Sequence, residues 1–317
     1  MTIQTAVLFP GQGSQESGMG RDLAESNRDA MDLWKQAEKI SKLDLRAIYW
    51  EGDDTAMADT RALQPALTVV NCNLWRELAG KVSPVATAGH SLGEYSSLAV
   101  AGVLSLDTVL ELVSLRGRLM AEADPEGKGT MAAMLKLSLA DAESAVREVA
   151  ESTGEMIGIA NYNTPGQYVA SGTKAAIAAL QETVKARKGR ALPLPVSGAF
   201  HSPLMQEAAV EMTKALEKAS WSNAKFAVYP NVTGKATTDA AALQKLLLDQ
   251  MTSSVRWIDT IGNQYGNGVR RFLECGPKGV LSKMVKPILD GLAEAPAPEG
   301  YTVLAVGNAA QAAEFQG

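Results

Sequence analysis

Thr5-Ala6-Val7-Leu8-Phe9 is a compact, mostly apolar run that stops at Pro10-Gly11. Without polar alternation, this is the pattern of a strand buried on both faces of a parallel sheet, and it places the next loop at the strand's carboxyl end. Helical periodicity follows over about residues 28–43 and again over 65–78, where Pro65 suits a first helical turn. Val85 to Ala88 is a second short strand running into Gly89-His90-Ser91, and residues 92–101 and 106–123 carry two further helical patterns, the second with Ser105 as N-cap. Strands alternating with helices predict an α/β core.

Between residues 126 and 197 the texture changes. An apolar stretch from Met131 to Leu137 precedes an Ala/Glu/Val-rich helix. Paired strands follow near Ile157 to Ala160 and Tyr168 to Ser171, then a helix from Lys174 to Lys188 and a strand from Ala191 to Pro195. That order, β-α-β-β-α-β, is ferredoxin-like. The expected fold is therefore a large α/β-hydrolase-like domain with a parallel sheet, residues 1–125 and 198–317, into which a small ferredoxin-like α+β domain, residues 126–197, is inserted. A tandem of two domains is the alternative. Ile288 to Tyr301, rich in Ala, Pro and Glu, is expected to be a loose surface connection.

The chain has 317 residues, 46% hydrophobic and 21% charged, enough for one large core with a smaller one attached. Its apolar runs fall short of the roughly 20 residues a membrane-spanning helix needs, and the N-terminus lacks the layout of a signal peptide, so no membrane span and a cytoplasmic location are expected. The two cysteines, Cys72 and Cys275, have no partners at metal-ligand spacing, so neither zinc nor a disulfide is expected. A net charge of −5 and a pI near 5.3 argue against nucleic acid as a partner. A monomer is the default.

Gly89-His90-Ser91-Leu92-Gly93 fits the nucleophile elbow G-x-S-x-G, a tight strand-to-helix turn that presents a serine hydroxyl. A serine needs a positioned base, and the chain has only two histidines. His90 is adjacent to Ser91 and is expected to point elsewhere, which leaves His201. No Asp or Glu can be assigned to orient it, so a Ser-His dyad is expected, with a backbone carbonyl in the third role. The N–H of Leu92, at a helix N-terminus, and that of Gln12, in the turn Gly11-Gln12-Gly13, are candidate oxyanion donors. Arg116 lies at i+7 from Val109, i+4 from Leu112 and i−4 from Met120, inside an apolar stripe. A guanidinium turned inward must be paired, with a carboxylate of the protein or of a substrate, and spacing alone favours neither.

Taken in order, five segments resemble the malonyl-CoA:acyl carrier protein transacylases and the acyltransferase domains of fatty-acid and polyketide synthases. They are Phe9-Pro10-Gly11-Gln12-Gly13-Ser14-Gln15; Gly89-His90-Ser91-Leu92-Gly93-Glu94-Tyr95; Arg116-Gly117; Gly198-Ala199-Phe200-His201-Ser202; and Asn231-Val232-Thr233-Gly234 with the later Gln250-Met251 and Val255-Arg256-Trp257. The resemblance implies malonyl transfer from coenzyme A to the phosphopantetheine thiol of acyl carrier protein, in fatty-acid synthesis, by a ping-pong route. Ser91 would be the nucleophile, His201 the base, Gln12 and Leu92 the oxyanion donors, and Arg116 the clamp on the malonyl carboxylate. It further implies that the main chain of Gln250 orients the histidine, that Asn163 lines the site, and that Phe200 accompanies malonyl preference. No metal or redox cofactor is implied; coenzyme A enters as a thioester substrate. Ser254 departs from the family's usual proline, and Lys278-Gly279 reverses its common Gly-Lys order.

Carrier proteins are acidic, so a basic docking surface is expected, from Lys185, Arg187, Lys188 and Arg190 or from Lys278, Lys283 and Lys286. Two rival readings stand beside this one. A serine hydrolase of the α/β-hydrolase type needs a histidine near the C-terminus, and none follows His201. The other is a non-catalytic docking subunit, against which intact Ser91, His201 and Arg116 argue. A carrier protein of polyketide synthesis or of malonate decarboxylation is an alternative acceptor.

Overall fold

Every strand of the larger sheet runs parallel to its neighbours, which buries both faces and explains why β1 (Thr5–Phe9) reads as a continuous apolar run. In the computed structural model, which describes residues 3–292 and 300–317, the other strands of this sheet are β2 (Pro84–Gly89), β7 (Ala227–Val228), β8 (Arg271–Cys275) and β9 (Thr302–Val306), in the order β7-β2-β1-β8-β9. Val7 and Phe9 pack into the larger core with the helices Arg28–Ser41, Thr60–Leu78 and Leu106–Glu122. Ala6 and Leu8 face the opposite core, against Trp257, Ile261 and the helix Ser282–Gly291.

The helix expected from Pro65 begins five residues earlier, at Thr60. The Asp59 carboxylate caps it by accepting from Arg61 N, so Pro65 lies inside the helix and not in its first turn. The segment from Ile288, expected to be a loose connection, is partly helical: Ile288 and Leu289 are fully buried in the helix Ser282–Gly291, because they fill the core beneath β8. Its remainder, residues 293–299, lies outside the described residues.

The second sheet is antiparallel. Strands β3 (Gly129–Leu135), β4 (Ile157–Thr164), β5 (Gln167–Thr173) and β6 (Arg190–Pro193) run in the order β4-β5-β3-β6, with the helices Leu139–Thr153 and Lys174–Ala186 as crossovers. This is the ferredoxin-like order. Strand alternation divides β3: Ala132 and Met134 enter the small core, whereas Met131 joins the large one. A parallel bridge between Asn161 and Val255 ties β4 to the chain before Trp257, and Ser254 Oγ donates to Ile159 O (2.5 Å), a bond that a proline there could not make. One face of the small sheet is thereby held over the carboxyl ends of β1 and β2.

Candidate active site

Ser91 follows β2 with φ 50°, in the left-handed region that a serine adopts only when the surrounding chain enforces it. Two glycines make the turn possible. A Cβ at Gly89 would sit 1.9 Å from Gly93 C, and one at Gly93 would sit 2.0 Å from Phe9 O, so strand, turn and helix Gly93–Val100 close on one another only without side chains there. Asn231 pins the elbow from the β7 side: its Oδ1 accepts from Ser91 N (2.7 Å) and its Nδ2 donates to Gly89 O (2.6 Å).

His201 also has a left-handed backbone, φ 55°, which turns its ring toward the elbow. Its Nδ1 lies 3.0 Å from Gln250 O and 3.1 Å from Ser253 O. Carbonyls only accept, so Nδ1 carries the proton and Nε2 is a bare acceptor, 2.7 Å from Ser91 Oγ. Burial first, then the charge of Arg116, push the His201 pKa down to about 3, so the ring is neutral. The pair can take the serine proton, with two backbone carbonyls where a triad has a carboxylate.

Arg116 is buried, and it donates through Nη1 to Gln64 Oε1 (2.9 Å) and through Nη2 to Gln250 Oε1 (3.2 Å) and Ser91 Oγ (3.1 Å). Its guanidinium lies over the Tyr95 ring, 5.5 Å from the centroid, and its Nε has no hydrogen-bond partner. Among the described residues no carboxylate hydrogen-bonds the guanidinium, and Arg116 lines a cleft. Gln12, Gln64, His90, Leu92, Asn161, Phe200 and His201 share that cleft with Ser91, and Met120, Met131, Leu194 and Val196 supply its apolar walls. Among the described residues, the N–H groups of Gln12 and Leu92 enter no hydrogen bond, consistent with donors kept for a ligand.

His90, adjacent to the serine, makes no bond to it; its ring packs edge-on against Trp257, and the residue borders the cleft. Asn163 Oδ1 meets His90 Nε2 at 2.8 Å, one residue back from the cleft lining, and Asn161 of the same strand lines the cleft. Gln64 and Glu94 were not legible as site residues. The signal was their polarity within otherwise buried helices, Thr60–Leu78 and Gly93–Val100. Among the described residues no group of three or more His, Cys, Asp or Glu could hold a metal, and no helix is long and apolar enough to cross a membrane.

The model of the acyl transferase domain family matches residues 7–306. The malonyl CoA-acyl carrier protein transacylase of Bacillus subtilis (strain 168) is 38% identical over 285 residues, covering 89% of this chain and 90% of that protein. The chain belongs to the malonyl CoA-acyl carrier protein transacylase family. Solved members superpose on this acyltransferase closely. An acyl carrier protein S-malonyltransferase from Vibrio cholerae has a TM-score of 0.89 at 35% identity, covering 97% of this chain and 98% of that one. A malonyl-transacylase in complex with its type II PKS acyl-carrier protein has a TM-score of 0.90 at 35% identity, with 98% of both chains covered.

Proposed function

We infer that this acyltransferase moves a malonyl group from coenzyme A to the phosphopantetheine thiol of an acyl carrier protein through a malonyl ester on Ser91, and that it supplies fatty-acid synthesis in the cytoplasm. The observation that carries the malonyl reading is the buried Arg116 guanidinium, 3.1 Å from the Ser91 hydroxyl with no carboxylate among its hydrogen-bond partners. A malonyl carboxylate can pair directly with this guanidinium, and an acetyl group cannot. Family membership carries the carrier-protein half of the reaction.

Ser91 Oγ attacks the thioester carbon while its proton passes to His201 Nε2, and the N–H groups of Gln12 and Leu92 hold the carbonyl oxygen as it becomes an oxyanion. Collapse breaks the C–S bond, and His201 returns the proton to the departing coenzyme A sulfur. The carrier's thiol then gives its proton to His201 and attacks the ester, regenerating Ser91. Burial helps by keeping His201 neutral at rest, and the malonyl carboxylate, by offsetting Arg116, raises the basicity of the ring when substrate is present. Residues 1–125 with 198–317 serve as the catalytic domain and 126–197 as the domain that roofs the cleft. Of the two basic clusters, Lys278 and Lys283 follow β8, next to the strand whose end carries Gln12, and are the better placed to receive an acidic carrier.

Incubation with malonyl-CoA and phosphopantetheinylated carrier protein tests the reading. The protein should load the carrier and the Ser91→Ala variant should not. Equally fast consumption of malonyl-CoA with the carrier omitted would instead mark a hydrolase.

A further inference from the structure

Glu94 is 1% exposed, three residues past the nucleophile and in the first turn of the helix Gly93–Val100. Its Oε2 accepts from Gln250 Nε2 (2.7 Å) and from Asn231 N (3.1 Å). The mechanism above does not use it, yet a buried carboxylate is costly and needs a reason. The Gln250 amide joins it to the clamp. Gln250 Nε2 faces two acceptors, Glu94 Oε2 and Ser91 O (3.0 Å), so its Oε1 must face the donor, Arg116 Nη2 (3.2 Å). Guanidinium, amide and carboxylate thus form one polarised chain of hydrogen bonds.

We propose that Glu94 is the countercharge of Arg116, held one amide away so that the guanidinium is compensated yet stays open to a substrate carboxylate. The inference rests on the reading of Arg116 as the malonyl clamp. A carboxylate directly on Arg116 would take the bidentate edge that a dicarboxylic acyl group needs. With no carboxylate nearby, a charged guanidinium would be buried without compensation. Placement through Gln250 avoids both. Arg116 is the charged group that faces Glu94. Burial raises the Glu94 pKa to about 7 against the hydrogen bonds from Gln250 and Asn231 and the charge of Arg116. The countercharge is therefore complete above that pH, and the assays below are run at about pH 8.5.

The test is a charge swap, Glu94→Gln with Gln250→Glu, which preserves net charge and side-chain size and brings the carboxylate onto Arg116. It also gives up the Gln250 Nε2 bond to Ser91 O, a loss shared by both acyl donors. The readout is the ratio of malonyl to acetyl kcat/KM, which a general loss of structure does not change. The swap should lower that ratio at least tenfold. Glu94→Gln alone, which removes the negative charge and leaves the edge open, should keep the ratio at or above the wild-type value, with a lower KM for malonyl-CoA. A ratio unchanged by the swap, or one that falls tenfold in Glu94→Gln alone, overturns the proposal. Should the single variant not fold, the swap decides alone. Arg116→Ala is run alongside: if it leaves the ratio unchanged, the clamp reading itself fails, whereas a drop there with no drop in the swap rejects only the role of Glu94.

Discussion

Ser91 and His201 meet at 2.7 Å from two separate turns, each held in a left-handed backbone conformation, φ 50° and 55°. Such conformations cost on the order of 1–3 kcal/mol each and persist only where the surroundings enforce them. At Ser91 that enforcement comes from Asn231 and the paired glycines. The His201 ring is fixed by the carbonyls of Gln250 and Ser253. The two side chains are therefore in register without a ligand.

Removing the base should slow acylation far more than it weakens the fold. His201→Ala is expected to reduce the rate of acyl-enzyme formation by about 10²–10⁴-fold, the usual contribution of a positioned general base. Rapid-quench kinetics on a variant with a cooperative thermal transition checks this.

The pH dependence follows from the depressed His201 pKa. With acetyl-CoA, which carries no titrating carboxylate, the acid limb of kcat/KM should lie well below the ordinary histidine value of 6.5, because burial and Arg116 hold the ring at about 3. Arg116→Ala removes the larger of the two charge effects that add to burial, the other being His90, and should move the limb upward. The native state binds fewer protons here than the unfolded chain, so stability should fall as pH drops from 6.5 toward about 3. An acid limb at 6.5 in the wild type contradicts the assignment.

Gly93→Ala tests the elbow. The added Cβ meets Phe9 O at 2.0 Å, a backbone atom that cannot give way, so the turn must open. A loss of about 3 kcal/mol in chemical denaturation, with acylation falling in parallel, is the expected outcome.

Asn231→Ala leaves the Ser91 N–H and the Gly89 carbonyl without their partners. Each unpaired buried group costs about 1–3 kcal/mol, and the serine should lose its fixed direction. The denaturation midpoint and kcat should drop together, whereas a structural role alone would lower only the midpoint.

Much of this arrangement was legible in the chain because the relevant constraints are local. The uninterrupted run in β1 marked a doubly covered strand, and the glycine spacing around Ser91 marked the elbow. The two-histidine count left His201 as the candidate base. What stayed hidden depends on contacts between distant segments. The boundary at Pro65 was displaced by the Asp59 cap, and Ile288 was misplaced because an Ala/Pro-rich tail obscured a buried helix end. The neutral partners of Arg116, Gln64 and Gln250, lie 52 and 134 residues away, beyond any periodicity argument. The strand register shifts between Tyr162 and Thr164, so alternation along β4 could not say how Asn161 and Asn163 sit relative to the cleft.

Phe200 borders the cleft beside the base and is 4% exposed. Phe200→Ser should make room for an α-methyl branch, raising methylmalonyl transfer relative to malonyl transfer at least severalfold. Competition between the two thioesters, read by mass spectrometry of the loaded carrier, gives the ratio directly.

The central claim is a malonyl ester on Ser91 that a carrier thiol discharges. Intact-mass analysis after brief exposure to malonyl-CoA tests it most directly. The wild type should gain one malonyl group, lose it on addition of phosphopantetheinylated carrier protein, and the Ser91→Ala variant should gain none. An adduct that survives in Ser91→Ala, or a wild-type protein that acquires no adduct, would contradict the account.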